Sequence, residues 1–261
     1  MIGRRSVVAA AAGLVTGAAA QVPVGAPTKP GERVAVRNVV LVHGAFADGS
    51  SWAVVVAALQ AKGLRVIAVQ NPLTSLADDV AATKRAMNLM DGPMVLAGHS
   101  YGGTVLSEAG DDPRVAGLVF VAALAPEAGE AFGETVKKFP APPGLAFIRA
   151  KDGFAQLDAD GFVANFCQDV PPGRARVMAA SQGPVAAGLF DQKTSATAWK
   201  SRPNWYAVST QDRVIAPEMQ RFYAKRMGAK VMDVHASHAS PVSRPADIAR
   251  LIEAAAAGDR S

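Results

Sequence analysis

Short apolar runs alternate along the chain with longer stretches whose apolar positions recur at helical spacing. Residues 34–42 form a nearly continuous β-branched run, the pattern of a strand buried on both faces of a parallel sheet. A helix is expected at about 52–61, capped by Ser50 or Ser51 and ended at Lys62-Gly63. Residues 64–69 read as a second strand, closed by Asn71-Pro72. Ser75 can cap a helix from Leu76 to about Met90, which Asp91-Gly92-Pro93 terminates. The run from Met94 to Ala97 is a third strand with a helical pattern close behind it, and 115–122 is a fourth. Two more strand patterns, 204–209 and 230–234, are each followed by a helix, at 217–227 and 246–257. This alternation predicts an α/β fold: a doubly wound, mostly parallel sheet of about six strands.

Residues 126–202 break the rhythm. They hold Phe132, Phe139, Phe147, Phe154, Phe162, Phe166 and Phe190, seven of the ten phenylalanines, together with the Pro-rich piece Phe139-Pro140-Ala141-Pro142-Pro143. An insertion above the carboxyl edge of such a sheet sits where ligands bind. It reads as a helical cap, inserted before the last two strands, over an apolar pocket. The core is then 34–125 together with 203–261.

Between the third strand and its helix lies Gly98-His99-Ser100-Tyr101-Gly102-Gly103. G-x-S-x-G between a strand and a helix is a nucleophile elbow, a tight turn that lifts the serine hydroxyl clear of the sheet. Glycines are needed two residues before and two after, where any Cβ would strike neighbouring backbone. A serine hydroxyl attacks only when a base removes its proton. Among the four histidines, His99 lies beside the nucleophile and should point into the packing, while His43 ends the first strand and should order its loop. His235 and His238 follow the last strand, where the base of an elbow enzyme belongs in the order Ser…Asp…His. His238 stands further out on the loop and is the first choice as base, with His235 as runner-up. Asp212 follows one strand and precedes a helix, the place for the acid that fixes the imidazole tautomer. Glu127 is the runner-up acid. Two backbone N–H groups must face the developing oxyanion. Tyr101, after the nucleophile, supplies one, and Ala45, beside Gly44 in the loop after the first strand, supplies the other, with Phe46 second.

Composition narrows the function. Half of the 261 residues are apolar, and the net charge of +5 is spread along the chain, so nucleic acid has no footprint here. The single cysteine, Cys167, excludes an intramolecular disulfide and reads as a small buried residue. No His pair at i,i+4 and no carboxylate–His cluster suggests metal ligands, and no cofactor is expected. Residues 1–20 join Arg4-Arg5, an apolar run from Val7 to Val15 and Ala18-Ala19-Ala20. That is an export signal of twin-arginine character, too short for a stable membrane anchor. Residues 21–33 are a flexible lead-in. An exported protein, periplasmic or secreted, is expected.

The loop from His43 to Trp52, the Gly98–Gly103 elbow, Asp212-Arg213-Val214-Ile215-Ala216-Pro217 and Ser237-His238 resemble the α/β-hydrolase superfamily. The likeness is to its small esterase branch, related to plant methylesterases and hydroxynitrile lyases, and it covers about residues 36–257. It implies a Ser100–His238–Asp212 triad with Ala45 and Tyr101 at the oxyanion hole. The lyase members carry Thr where this chain has Gly44 and Lys where it has Ala239, so cyanohydrin chemistry is not expected. The methylesterases are usually cytosolic, and the export signal departs from them. The expected partner is a small-molecule ester, cleaved through an acyl-enzyme. Alternatives are a non-catalytic ligand-binding protein, or a triad enzyme performing C–C cleavage, acyl transfer or a lyase step. Oligomeric state has no signature in the pattern.

Overall fold

The computed structural model describes residues 36–259, all within the unit Val34–Ser261. In chain order its strands are β1 (Asn38–Val42), β2 (Arg65–Ala68), β3 (Met94–His99) and β4 (Val115–Val121). The insertion adds β5 (Ile148–Lys151), β6 (Phe154–Leu157) and β7 (Val185–Ala186), and β8 (Asn204–Ser209) and β9 (Lys230–Val234) follow it. Six of them form one parallel sheet in the order β2-β1-β3-β4-β8-β9. The chain runs outward from β1 to β2 and then returns past β1 to β3. The strand order therefore reverses between β1 and β3, the switch point where α/β sheets leave a crevice at their carboxyl ends.

The β-branched run of β1 and the apolar run of β3 account for the middle of this sheet. Every residue of β1 and β3 is buried, whereas the edge strands β2 and β9 keep exposed positions. Successive side chains face opposite sides of a strand. Val39, Leu41, Val95 and Ala97 join the helices Ala53–Ala61 and Pro245–Ala256 in one core. Val40, Val42, Leu96 and Phe120 join Leu76–Met87, Gly102–Ala109 and Pro217–Arg226 in the other. Each fully buried Val, Leu or Phe stabilises the fold by roughly 1.5–3 kcal/mol over leaving it exposed.

Two local expectations need correction. Ser75 caps its helix as expected, its hydroxyl accepting from the Asp78 N–H at 3.1 Å. The first helix is different. Asp48, not Ser50 or Ser51, accepts from the Ser50 N–H at 2.6 Å, and a 3-10 turn Gly49–Trp52 precedes the α-helix. A carboxylate is the stronger acceptor for those first N–H groups. The insertion also holds more than helices. Besides Phe132–Val136 and Pro172–Ser181 it carries β5, β6 and β7 in a separate antiparallel sheet. Asp152 and Gly153 turn the β5–β6 hairpin with φ of 50° and 82°. Two positive values at Asp-Gly are the backbone of a two-residue hairpin turn that suits right-twisted strands. Among the described residues, no helix is long and apolar enough to cross a membrane.

Candidate active site

Ser100 sits where β3 breaks into the Gly102–Ala109 helix, at φ 55°, a left-handed value that costs a non-glycine residue about 1–2 kcal/mol. The surroundings hold it there: its N–H donates to Val121 C=O at 3.1 Å, and its C=O accepts from Leu124 and Gly103, each at 3.0 Å. The flanking glycines are steric requirements. A Cβ on Gly98 would lie 2.7 Å from the Gly102 carbonyl, one on Gly102 2.5 Å from Val42 O, and one on Gly103 would overlap Leu124 O. Backbone atoms cannot step aside, so β1, β3 and the elbow pack as one block.

Asp212 and His238 come together at the ends of β8 and β9. His238 Nδ1–H donates to Asp212 Oδ2 at 2.6 Å, with both side chains wholly buried. The carboxylate is saturated with donors. Oδ1 accepts from the N–H groups of Val214 (2.7 Å) and Ile215 (2.9 Å), and Oδ2 also accepts from Gln220 Nε2 at 2.7 Å. A proton on Nδ1 leaves Nε2 as the lone-pair nitrogen. That atom is buried and has no protein partner, so no hydrogen bond joins it to Ser100 Oγ. Such contacts often tighten only once substrate is bound.

The loop after β1 reaches the same edge. Gly44 brings its backbone against the elbow, since a Cβ there would stand 2.6 Å from Ser100 Cβ and 3.2 Å from Oγ. Among the described residues, no protein group accepts from the N–H of Ala45, Phe46 or Tyr101. His43 orders this loop: Nδ1–H donates to Gly44 C=O at 2.8 Å and Nε2 accepts from the Asn71 N–H at 2.9 Å. Burial holds the His43 ring below the ordinary histidine range, its bond to Gly44 notwithstanding. The Tyr101 side chain is pinned behind the elbow, its hydroxyl donating to Asp79 Oδ2 at 2.9 Å. Burial together with the Asp79 charge raises the Tyr101 phenol, so it stays a donor.

A family model described as the alpha/beta hydrolase family matches residues 39–251. The chain belongs to that family. Similar solved structures include polyneuridine aldehyde esterase, 20% identical with a TM-score of 0.72, covering 84% of this chain and 98% of that one. A pyrethroid hydrolase from Sphingobium faniae JZ-2 is 23% identical with a TM-score of 0.73, covering 85% of this chain and 97% of its own. An extracellular α/β-hydrolase from a Paenibacillus species is 20% identical with a TM-score of 0.70, over 85% and 99%. That protein is described as sharing structural and functional homology with tobacco salicylic acid binding protein 2. At such identities the likeness is one of fold. No curated protein sequence matches the chain.

Within this α/β-hydrolase the two runner-up residues lie apart from the Asp212–His238 pair. Glu127 pairs with Lys200 at the surface, and His235 is exposed just beyond β9. Two further residues bond to the Asp212–His238 pair, Gln220, which pattern reading passed over, and His99, which it assigned to the packing. Gln220, wholly buried, ties Asp212 Oδ2 to Ile215 C=O (2.8 Å) and accepts from the Ser209 N–H at 2.9 Å. A glutamine on the buried face of the Pro217–Arg226 helix is out of pattern, and that was a readable signal. His99 does more than fill space: its Nε2–H donates to His238 C=O at 2.9 Å, and the two rings stand 4.7 Å apart. Burial, with the His238 ring adding to it, holds His99 well below the usual histidine range. Its ring stays neutral and acts as a strut.

Proposed function

We propose that this α/β-hydrolase is a serine hydrolase that cleaves carboxylic esters of small to medium apolar substrates through an acyl-enzyme. The observation that carries the reading is the buried Asp212–His238 hydrogen bond, which engages Nδ1 and leaves Nε2 without a protein partner at the edge where Ser100 is lifted from the sheet. In the first step Nε2 takes the Ser100 proton while Oγ attacks the ester carbonyl carbon. The N–H groups of Tyr101 and Ala45 hold the oxyanion, with Phe46 N–H as the neighbouring alternative. The imidazolium, stabilised by Asp212, returns its proton to the leaving alcohol, and water activated by the same nitrogen releases the acid.

The groove of about 140 Å³ between the oxyanion loop and the insertion mixes apolar Phe46, Phe162 and Met178 with polar Asp48, Ser51 and Arg174, so it suits an ester with an apolar body and a polar end. The lyase alternative loses support at Gly44, where a Cβ would meet Ser100 Cβ at 2.6 Å and a threonine has no room. The reading divides the chain into a core of 34–125 with 203–261 and a cap of 126–202. Residues 1–20 would direct export and be removed, and 21–33 would lead into the fold. These two segments lie outside the described residues, and the extracellular Paenibacillus protein lends the export reading support.

A series of p-nitrophenyl esters of rising chain length, with a fluorophosphonate probe, tests the chemistry. The wild type should turn over the shorter esters and take the label, and Ser100→Ala should do neither. Equal labelling of both proteins overturns the reading, and ligand binding without any turnover would favour a non-catalytic receptor.

A further inference from the structure

The insertion reaches the acid and base loops through one short segment. Residues Phe162–Phe166 wind as a π-turn, and the chain leaves it through Cys167, Gln168 and Asp169. On the acid side, Gln168 Nε2 donates to Gln211 C=O at 2.7 Å, and Ala164 C=O accepts from Arg213 Nη1 at 3.2 Å. On the base side, Asp169 Oδ2 accepts from the Ser237 N–H at 2.9 Å, and Phe166 C=O accepts from the Ala239 N–H at 3.0 Å. The neighbours of Asp212 and the neighbours of His238, on both sides in each case, are thus bonded to a single turn. The Phe166 ring meets the His238 imidazole edge-on, with centroids 4.7 Å apart at 79°, and Phe162 stacks behind it at 4.5 Å.

A turn that merely roofed the core would present apolar side chains to it. This one also directs four polar groups at the residues flanking the acid and the base. Burial pushes the Asp169 carboxyl up, but hydrogen bonds from Ser237 and Ser243 outweigh it and keep the group below the ordinary range. The acceptor is therefore charged at neutral pH, and bonds to a charged acceptor are the stronger kind. π-turns inside helical segments recur at functional sites because they reposition side chains that a regular helix would place elsewhere.

We infer that the Phe162–Asp169 segment is a clamp that sets the Asp212–His238 geometry, with Asp169 as its principal positioning residue. The inference rests on the triad reading above. It makes the cap and the base one mechanical unit: the segment roofing the substrate groove through Phe162 also aims the imidazole.

The test is steady-state hydrolysis of p-nitrophenyl butyrate by full-length Asp169→Ala, Asp169→Asn, Gln168→Ala and Ser100→Ala, with thermal melts and the NMR resonance of the His238 Nδ1 proton. Misplacing a catalytic group by about 1 Å can cost on the order of a hundredfold, so Asp169→Ala should lose about ten- to a hundredfold in kcat with KM within about twofold. Asp169→Asn keeps an oxygen for the Ser237 N–H and should recover most of that loss. The Nδ1 proton signal should weaken in the alanine variant and persist in the asparagine variant. A kcat for Asp169→Ala within twofold of wild type overturns the clamp, and so does a raised KM at unchanged kcat, which would mark a substrate contact instead. Should Asp169→Ala not fold, Gln168→Ala decides: a kcat loss of threefold or more at constant KM supports the clamp, and no loss overturns it. Activity surviving in Ser100→Ala would instead overturn the triad reading, which separates the two failures.

Discussion

The elbow at Ser100 and the insertion at 126–202 are built on different terms. At the elbow, a Cβ on Gly44, Gly98, Gly102 or Gly103 would run into backbone or into the Ser100 side chain at 2.9 Å or less. In the cap, Gly153, Gly173 and Gly188 have nothing within 4 Å of where a Cβ would stand. The cap's own exceptions are instructive. Gly144 would place a Cβ 2.7 Å from Arg213 O, beside Asp212, and Gly161 would press on Phe147, next to the π-turn. Close packing in the insertion is therefore concentrated where it meets the Asp212 loop and around the π-turn, and its outer glycines have open space around them. The core holds the elbow by backbone sterics, which tolerate almost nothing. The insertion meets the Asp212 and His238 loops through hydrogen bonds and aromatic contacts, which tolerate more.

Substitutions can break this contrast, beginning with the largest expected effect. Asp212→Asn would present an amide to an imidazole that needs a carboxylate on Nδ1, favouring the wrong tautomer. Activity on p-nitrophenyl esters should fall by about 10⁴ in kcat, the size seen where a triad aspartate is neutralised in the same way. A drop below tenfold would mean that Asp212 is only a cap for the following helix. Next is Gly102→Ala, whose Cβ would sit 2.5 Å from Val42 O. Strain of this kind costs about 1–3 kcal/mol or more, to be read as a lowered denaturation midpoint, and unchanged stability would refute the steric account of the elbow.

Acid should loosen the elbow block as well. His43 and His99 are both held neutral by burial, with folded-state values below the ordinary 6.5. The unfolded chain then binds protons that the folded one refuses, so their contribution to stability is full above pH 6.5 and is lost as pH falls below it. Asp79 carries the opposite sign, because burial raises its carboxyl above 3.8 and its contribution is lost as pH rises. Urea midpoints between pH 7.5 and 5 should fall in the wild type; a flat profile would contradict the neutral-histidine assignment. The smallest effect is expected in the cap. Gly173→Ala, inside the Pro172–Ser181 helix with open space for its Cβ, should stabilise by about 0.5–1 kcal/mol through helix propensity alone. Destabilisation there would show that the outer cap is as tightly packed as the elbow.

Much of the frame was legible from periodicity. β8 and β9 fall at the residues expected, and β1 and β3 are buried on both faces as the β-branched run of the first and the apolar run of the second imply. The elbow was legible too, because a strained turn demands glycine at fixed offsets, and that demand is written locally. The cap was read less well. Its antiparallel sheet was missed although Asp152-Gly153 is a strong hairpin signal, since β5 and β6 span four residues each and their alternation is too brief to register. Asp48 displaced the expected serine caps because a charged acceptor one turn upstream outcompetes a hydroxyl.

The sequence by itself determined the strand order's raw material, the elbow at Ser100, and the placing of Asp212 and His238 after successive strands. Each of these follows from chemistry that acts over a few neighbouring residues. The tertiary structure alone decided what holds them: His99 under the His238 carbonyl, and Asp169 on the Ser237 N–H. These two pairs join residues 139 and 68 positions apart. No local period marks such partners, because a hydrogen bond needs only one donor and one acceptor brought within reach, and the fold decides which ones meet.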